Sequence, residues 1–374
     1  MPISRRHLLR RLGAAAAAAA AAPSLVEASS GAALPGGVIR LDRNENPCGP
    51  SPQVLAAILD AARQAADCDP EVESEALRKR IARLHSVSAE QVVLGCGSTE
   101  ILRMAADAFV GPARTALAGL PAFDVMDRCA RRTGADVVGV PLSRNYSHDL
   151  AAMLERADAA TGLVYICNPN NPTGTLTRRR DLEAFIRELP ETTCVLIDEA
   201  YHHYVGASSD YASFVDRPLD DARVIVSRSF SKIHGLSGLR VGYAIAAAQT
   251  ARRLAAGRLP GAVNVVAARA AAAALDDHEY VRSSARRNAD DRQEFLNQAN
   301  ARMLRPIDSQ TNFVLLDTEQ PAAEIVERFK KNGILLAPPF PGFEEHVRVS
   351  IGTPAAMREF WAIWDLKPVR HASM

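Results

Sequence analysis

Short runs of apolar residues alternate with amphipathic stretches between about residue 90 and residue 246. The runs have the length of buried strands, and the stretches between them repeat their apolar positions with a helical period. Strands and helices that alternate in this way favour a mostly parallel sheet with helices on both faces. The predicted strands are 92–94, 115–118, 137–140, 163–167, 194–197, 224–226 and 241–245, and the predicted helices are 99–110, 123–133, 149–158 and 178–188.

The pattern changes on both sides of this alternating region. Residues 53–66 predict an amphipathic helix, and residues 249–300 are largely helical in pattern. Beyond about residue 300, short strands mix with helices, which indicates a smaller α+β domain. We therefore expect an α/β protein with four parts, namely an N-terminal leader (1–28), an arm (29–60), a large domain (61–262) and a small C-terminal domain (263–374).

The first 28 residues have the composition of an export signal. Arg5 and Arg6 lie side by side in a basic start, an alanine-rich run follows at 14–22, and small residues continue to Ala28. This order is typical of a twin-arginine signal and predicts a periplasmic mature protein. The alternative is a helix that stays on a cytoplasmic protein. The run is too short and too weakly apolar to span a membrane, so we expect no membrane insertion.

Composition and charge exclude several classes of protein. With 48% hydrophobic and 23% charged residues, the chain of 374 residues has the composition of a globular enzyme and not of a disordered protein. Its 44 basic and 43 acidic residues give a net charge of +1, so no overall field attracts nucleic acid. No C-x-x-C motif occurs, and the adjacent His202 and His203 do not form a metal-binding pattern, so we expect no metal.

Polar motifs follow the predicted strands, at the sheet edge where open α/β proteins bind ligands. Residues 95–100 join a strand to a helix and contain two glycines followed by Ser98 and Thr99. Glycines allow the backbone to approach an anion, and the first turn of a helix offers free N–H groups. The segment therefore suits a phosphate group, although a serine or threonine there is also an ordinary helix cap.

Three further motifs carry chemistry. Residues 168–174 contain two prolines and a glycine, which fix a loop whose asparagine amides point in set directions. Asp198 ends an apolar strand and needs a cation, because an unpaired buried carboxylate is costly, and a protonated ring nitrogen of a cofactor would supply one. Lys232 lies among hydroxyl residues between a strand and a glycine-rich loop, with Arg240 further along, which sets it apart from a surface lysine.

Together these motifs resemble the class I/II aminotransferases, which are pyridoxal-phosphate enzymes of fold type I, and within them the histidinol-phosphate-aminotransferase-like branch. The resemblance implies a large domain with a mostly parallel sheet and a smaller α+β domain. Six motifs occur in family order and span residues 44–352. They are Asn-Glu-Asn-Pro (44–47), Gly-Ser-Thr-Glu (97–100), Asn-Pro-Asn-Asn-Pro-Thr-Gly (168–174), Asp-Glu-Ala-Tyr (198–201), Ser-Phe-Ser-Lys (229–232) and Arg-Val-Ser-Ile-Gly (348–352).

The resemblance also implies a role for each motif residue. Lys232 would hold pyridoxal 5'-phosphate as a Schiff base and later move the α-proton of the substrate. Asp198 would pair with the pyridinium nitrogen, and Arg348 would clamp the substrate α-carboxylate, with Asn171 beside it. The other expected cofactor contacts are Tyr201 and Asn171 at the ring 3-oxygen, Phe123 stacked on the ring, and Ser98, Thr99, Ser229 and Arg240 at the phosphate.

The sequence departs from the histidinol-phosphate pattern at three places. The segment 67–70 lacks the tyrosine that commonly reaches the partner subunit's cofactor phosphate in this branch, and Cys48 stands where tyrosine is frequent. The stretch 335–339 lacks a basic residue that relatives often carry. These departures leave the substrate open. From the family we expect a homodimer and small-molecule partners, namely an amino acid or an amino-alcohol phosphate and a 2-oxo acid.

Two other functions remain compatible with the motifs. One is decarboxylation of the kind catalysed by threonine-phosphate-decarboxylase-like relatives, which gives carbon dioxide in place of a 2-oxo acid. The other is a non-catalytic, cofactor-binding protein. Retention of Lys232 and Asp198 argues against this second alternative.

Overall fold

A seven-stranded sheet forms the centre of the computed structural model, which describes residues 37–366. The strand order is β2-β8-β7-β6-β5-β3-β4, and the strands from β7 to β4 pair in parallel. The mostly parallel sheet predicted from the alternating pattern is confirmed. These strands are β2 (Val92–Gly95), β3 (Thr115–Leu120), β4 (Val137–Pro141), β5 (Thr161–Cys167), β6 (Cys194–Asp198), β7 (Val224–Ser229) and β8 (Gly242–Ala246).

One strand, β8, runs antiparallel to both of its neighbours, β2 and β7. The connection from β7 to β8 explains this direction. It spans residues 230–241 and contains only a short 3₁₀ turn, Ser237–Leu239, in place of the crossover helix that a parallel return usually requires. The chain therefore turns back beside β7, and the connecting loop stays at the carboxyl end of that strand.

Helices cover both faces of the sheet. In β5, Val164 and Ile166 belong to one buried apolar cluster and Leu163 and Tyr165 belong to the other, as the two-residue period of a strand requires. Because both faces are buried, the strand is apolar along its whole length. The helices are α1 (Pro52–Gln64), α2 (Pro70–Leu84), α3 (Ser98–Phe109), α4 (Val125–Arg132), α5 (Leu150–Arg156), α6 (Arg179–Glu188), α7 (Ala248–Ala255) and α8 (Val265–Asp276).

A smaller α+β unit follows the sheet in sequence. Strand β10 pairs antiparallel with β12 and with the short β9, and strand β11 pairs in parallel with β1, which precedes the large sheet in the chain. A third apolar cluster lies between these strands and their helices. The elements are β1 (Ile39–Leu41), α9 (His278–Ala301), β9 (Arg305–Pro306), β10 (Phe313–Asp317), α10 (Ala322–Lys331), β11 (Ile334–Leu336), β12 (His346–Ser350) and α11 (Pro354–Asp365).

Residues near the expected domain boundaries pack into one or the other of the two apolar cores, that of the large sheet and that of the smaller unit. Helix α8 lies just after the expected boundary at 262, and its Ala267 and Leu275 belong to the core of the large sheet. Val54 of α1, within the expected arm, joins the same core, whereas Leu41 of β1 joins the core of the smaller unit. The predicted export signal at 1–28 lies outside the described residues. Within residues 37–366, no helix combines the length and apolar character needed to cross a membrane.

A buried ion pair joins the carboxyl ends of β6 and β7. Arg228 Nε donates to Glu199 Oε2 at 2.8 Å, and the two side chains are only 4% and 1% exposed. The Ser213 hydroxyl donates to the same carboxylate at 2.6 Å, and the Phe214 N–H donates to its other oxygen at 2.9 Å. Both carboxylate oxygens are therefore hydrogen-bonded, as a buried charge requires.

Glu199→Ala should lower the free energy of unfolding by about 3–5 kcal/mol, because the buried Arg228 would lose its counter-ion. Urea unfolding followed by circular dichroism measures the effect. Glu279→Ala is the control, since Glu279 pairs with Arg282 on the exposed surface of α9 and such pairs contribute about 0–1 kcal/mol. Equal losses in the two variants would contradict a structural role for the buried pair.

Candidate active site

A cavity of about 1190 Å³ opens at the carboxyl ends of the parallel strands. Its walls come from the segment after β1, from the start of α3, from the loops after β5, β6 and β7, and from β12. Every residue that the sequence analysis predicted as a site residue lines this one cavity, namely Ser98, Thr99, Phe123, Asn171, Asp198, Tyr201, Ser229, Lys232, Arg240 and Arg348.

The first turn of α3 and the side chain of Arg240 form an anion cradle. Gly97 precedes the helix with φ +75°, and a Cβ atom at this position would overlap the Arg240 guanidinium. Arg240 Nη2 lies 3.4 Å from the Thr99 hydroxyl, and Arg240 Nη1 donates to the Ser237 carbonyl at 2.9 Å. A guanidinium, free helix N–H groups and hydroxyls are the donors that a phosphate monoester requires.

Two residues of this cradle were not predicted from the sequence. Ser231 is buried, and its hydroxyl lies 3.4 Å from Arg240 Nη1, while its N–H donates to the Ser229 hydroxyl at 3.1 Å. Gly242 begins β8 against the start of α3, where a Cβ would lie 2.5 Å from Ser98 N. The repeated serine in the Ser-Phe-Ser-Lys motif was the available signal for Ser231.

Asp198 ends β6 in a fully buried position, and its carboxylate accepts two hydrogen bonds. The Tyr165 hydroxyl donates to Oδ2 at 3.1 Å, and the Ala200 N–H donates to Oδ1 at 3.2 Å. Burial raises the pKa of Asp198 to about 6, although these hydrogen bonds act in the opposite direction. Within residues 37–366 this carboxylate forms no ion pair, so it fits a ligand that brings its own cation.

The amine of Lys232 lies in the same cavity. Its Nζ donates to the Arg43 carbonyl at 3.0 Å and lies 5.5 Å from the centroid of the Tyr201 ring. Burial lowers the pKa of Lys232 to about 8, and the cationic Arg348 and Arg240 shift it in the same direction. A substantial fraction of this amine is therefore neutral and nucleophilic near pH 8.

Arg348 is held on two sides and has a free donor. Its Nη1 donates to Asn171 Oδ1 at 2.5 Å, and its Nη2 donates to the Asp42 carbonyl at 2.6 Å. Among residues 37–366, the buried Nε has no hydrogen-bond partner. A fixed guanidinium with a free N–H group suits a carboxylate ligand. Burial lowers the pKa of this side chain, as expected for a cation without a counter-ion.

Tyr201 and Phe123 complete the wall. The Tyr201 hydroxyl accepts a hydrogen bond from Asn44 Nδ2 at 3.0 Å, which makes Asn44 of the Asn-Glu-Asn-Pro motif part of the site. Phe123 lines the cavity and also packs against the apolar cluster on one face of the sheet. Its ring therefore contributes to the core as well as to the cavity.

Three histidines, of which His234 is buried, cluster at the Lys232 loop. His203 contacts both His202 and His234, with ring centroids 5.0 and 5.2 Å apart. Burial lowers the pKa of His234 to about 4, so the ring is neutral at pH 7. In the described part of the chain, no three His, Cys, Asp or Glu side chains come together in a way that would hold a metal ion.

A lysine amine of lowered pKa, a buried carboxylate without a cation and an anion cradle meet in one cavity at the sheet edge. These groups fit the amine-reactive aldehyde, the ring nitrogen and the phosphate of pyridoxal 5'-phosphate. The fold and the site therefore define a pyridoxal-phosphate enzyme of fold type I. The model of the family Aminotransferase class I and II matches residues 36–362, and the chain belongs to this family. The protein is a pyridoxal-phosphate-dependent aminotransferase.

Individual relatives support this assignment. The chain is 36% identical over 325 residues to a histidinol-phosphate aminotransferase of Symbiobacterium thermophilum, covering 86% of this chain and 88% of that protein. It is 30% identical, with a TM-score of 0.81, to the histidinol-phosphate aminotransferase of Sinorhizobium meliloti solved in complex with pyridoxal-5'-phosphate, covering 87% of this chain and 89% of that one. An aspartate aminotransferase of Thermus thermophilus shares the fold, with 21% identity, a TM-score of 0.74 and coverage of 87% and 91%.

Tyr165→Phe should weaken the binding of pyridoxal phosphate to the apoenzyme by about 10- to 100-fold, because a hydrogen bond to a charged group contributes about 1.5–3 kcal/mol. Without that bond Asp198 holds a proton more readily and pairs less well with a cationic ring. Absorbance titration of the apoenzyme measures the dissociation constant.

Tyr243→Phe is the matched control for this variant. Its hydroxyl bonds to His85 at 2.9 Å, and Tyr243 does not line the cavity. A loss of affinity of the same size in both variants would show that Tyr165 acts through general stability and not through Asp198.

Proposed function

We propose that the enzyme transfers the amino group of an α-amino acid to a 2-oxo acid, with Lys232 as the catalytic residue and Arg348 as the carboxylate ligand. The observation that carries this proposal is that one cavity holds the Lys232 amine, the uncompensated Asp198 carboxylate and the fixed Arg348 guanidinium. Pyridoxal phosphate supplies an aldehyde that condenses with amines and a ring that accepts electrons from the substrate α-carbon.

The chain's own residues would bind and orient the cofactor. Asp198 would hold the ring nitrogen in its protonated form, with Tyr165 keeping the carboxylate ionised and oriented. Ser98, Thr99, Ser229 and Arg240 would hold the phosphate in the cradle described above. Tyr201 and Asn171 would donate to the ring 3-oxygen, and Phe123 would cover one face of the ring.

Lys232 would also move a proton at the substrate. As a free amine, the Lys232 Nζ has a pKa that burial lowers to about 8. A base with such a pKa is unprotonated often enough to accept the α-proton, and its conjugate acid is strong enough to return it. Arg348 and Asn171 would hold the substrate carboxylate, which fixes the direction in which the α-proton points.

We also propose that the enzyme is a homodimer. Leu55 and Leu59 lie one turn apart on α1 and are exposed, as are Val72 of α2 and Leu259. Leu55 and Leu59 thus place two large apolar side chains next to each other on the surface, which favours a protein interface. The mass of the protein by light scattering distinguishes a dimer from a monomer.

Borohydride reduction of the holoenzyme should place the cofactor label on Lys232, because it is the one lysine among the described residues that lines the cavity. Loading of the apoenzyme should accelerate with pH and level off above about pH 8, since the neutral amine is the reactive form and its pKa is lowered to about 8. Peptide mapping identifies the labelled residue, and stopped-flow absorbance gives the pH profile.

Lys232→Ala should abolish turnover of every amino acid, whereas the control Lys79→Ala should keep it, because Lys79 is exposed and pairs with Glu75 on α2. Label on another lysine, or a loading rate that still rises steeply above pH 9, would overturn the assignment of Lys232. Release of carbon dioxide in place of a 2-oxo acid would identify a decarboxylase.

We propose further that the mature enzyme is periplasmic and that residues 1–28 direct a folded, cofactor-loaded protein through twin-arginine export. Replacing Arg5 and Arg6 together by lysine should trap the loaded protein in the cytoplasm. The matched control replaces the other adjacent arginine pair of residues 1–28, Arg10 and Arg11, by lysine. This control should leave export unchanged. Cell fractionation with N-terminal sequencing shows where each variant is located and whether residues 1–28 have been removed. An uncleaved wild-type chain found only in the cytoplasm would refute the export role.

A further inference from the structure

One wall of the active-site cavity is apolar and comes from two loops. The first loop, residues 142–149, joins β4 to α5, and the second, residues 337–345, joins β11 to β12. Their side chains that line the cavity include three aromatic rings and several prolines. We call six of these cavity-lining residues the aromatic wall, namely Leu142, Tyr146, Pro338, Phe340, Pro341 and Phe343.

The aromatic wall has a fixed internal geometry. The rings of Tyr146 and Phe343 lie with centroids 5.8 Å apart, and Phe343 is buried against Ile307 and Leu315. The backbone carbonyl of Tyr146 accepts a hydrogen bond from the Thr175 hydroxyl at 2.7 Å, which ties this loop to the loop after β5. The rings are therefore held in place before any substrate arrives.

Arg348 connects this wall to the position of the substrate carboxylate. Its guanidinium carbon lies 5.2 Å from the centroid of the Phe340 ring, while its Nη1 donates to Asn171. An amino acid whose carboxylate pairs with Arg348 therefore binds next to the Phe340 ring. The side chain of such an amino acid can then contact the aromatic wall.

Three of the four arginines among the described residues of the cavity lining already have a partner or a proposed ligand. Arg240 belongs to the phosphate cradle and Arg348 to the carboxylate, and Arg131 is paired with Asp127 at 3.0 Å. Arg43, whose side chain is 61% exposed, is the remaining arginine among the described residues of the lining. The segment 332–345, which includes the loop that carries Phe340, contains no lysine or arginine.

We propose that the preferred amino donor is an uncharged α-amino acid with an aromatic side chain, which packs on the aromatic wall while Arg348 holds its carboxylate. This inference rests on the proposed function and specifies its substrate. Aromatic pairs stabilise a complex beyond the area they bury, and a pocket with apolar walls and few polar groups suits such a ligand.

Single-turnover absorbance measurements on the holoenzyme test the substrate class, with L-phenylalanine, L-alanine, L-glutamate and L-histidinol phosphate as donors. We expect kcat/KM for phenylalanine to exceed that for alanine by about 100-fold, since burying a large apolar side chain provides a gain of this order. Phenylalanine should also exceed glutamate, which carries a second carboxylate, and histidinol phosphate, which has a phosphate ester in place of the α-carboxylate that Arg348 would hold. A highest value for either of these two anionic donors would overturn the inference.

Phe340→Ala tests the wall itself. It should lower kcat/KM at least 10-fold more for phenylalanine than for alanine, and Phe340→Leu should restore part of the difference. Leu84→Ala, which removes an exposed apolar side chain outside the cavity, should leave the ratio of the two donors as in the wild type. An unchanged ratio in Phe340→Ala would overturn the inference.

Binding without reaction supplies a separate readout. 3-Phenylpropionate has the carboxylate and the ring but no amine, and we expect it to bind the holoenzyme at least 10-fold more tightly than propionate, by titration of the cofactor absorbance. Equal affinities would contradict a role for the wall. If no amino acid changes the cofactor spectrum, the proposed function fails together with this inference, whereas turnover of alanine or glutamate without preference for phenylalanine overturns the substrate class alone.

Discussion

The buried pair of Glu199 and Arg228 is the constraint on which the site depends. Each member lies next to a residue of the cavity, because Asp198 precedes Glu199 at the end of β6 and Ser229 follows Arg228 at the end of β7. The Glu199 N–H donates to the Ser227 carbonyl at 2.9 Å, which continues the ladder between the two strands to this point. A charge pair in a low-dielectric core tolerates little displacement, so it fixes the spacing between the carboxylate of Asp198 and the loop that carries Lys232.

The site needs both apolar cores of the molecule. The sheet supplies the carboxylate, the lysine and the anion cradle, whereas Arg348 comes from β12 of the smaller unit. The segment after β1 joins the two, because β1 pairs with β11 and the residues that follow contact the cavity. Asn44 bonds to Tyr201 through its side chain and to the Ser350 hydroxyl through its N–H, so one residue contacts elements of both units.

Sequence periodicity predicted most strands of the sheet, and the motifs with their family resemblance predicted ten residues that line the cavity, because parallel strands bring their carboxyl ends to one edge. The aromatic residues Tyr146, Phe340 and Phe343 lie outside those motifs and were not predicted. Three features of the fold were not visible in the periodicity. The three-residue strands β1 and β11 are too short to show a period, and they pair across almost the whole chain. The direction of β8 depends on its loop, and the link between Tyr165 and Asp198 depends on the register of β5 against β6. Helix α2 was also not predicted. Its start carries the usual helix-start residues, Asp69 as the N-cap followed by Pro70, but its many charged residues leave only a weak apolar stripe along one face.

The hydrogen bond from Lys232 to the Arg43 carbonyl couples two parts of the molecule thermodynamically. The nitrogen that holds the segment after β1 is also the proposed attachment point of the cofactor, so on that proposal the two uses compete. On the same proposal, the free energy of this hydrogen bond would be lost when the cofactor attaches, and by linkage whatever tightens the segment would weaken attachment by the same amount. The N-terminal segment, anchored on the smaller unit through β1, would then contribute to how firmly the enzyme retains its cofactor.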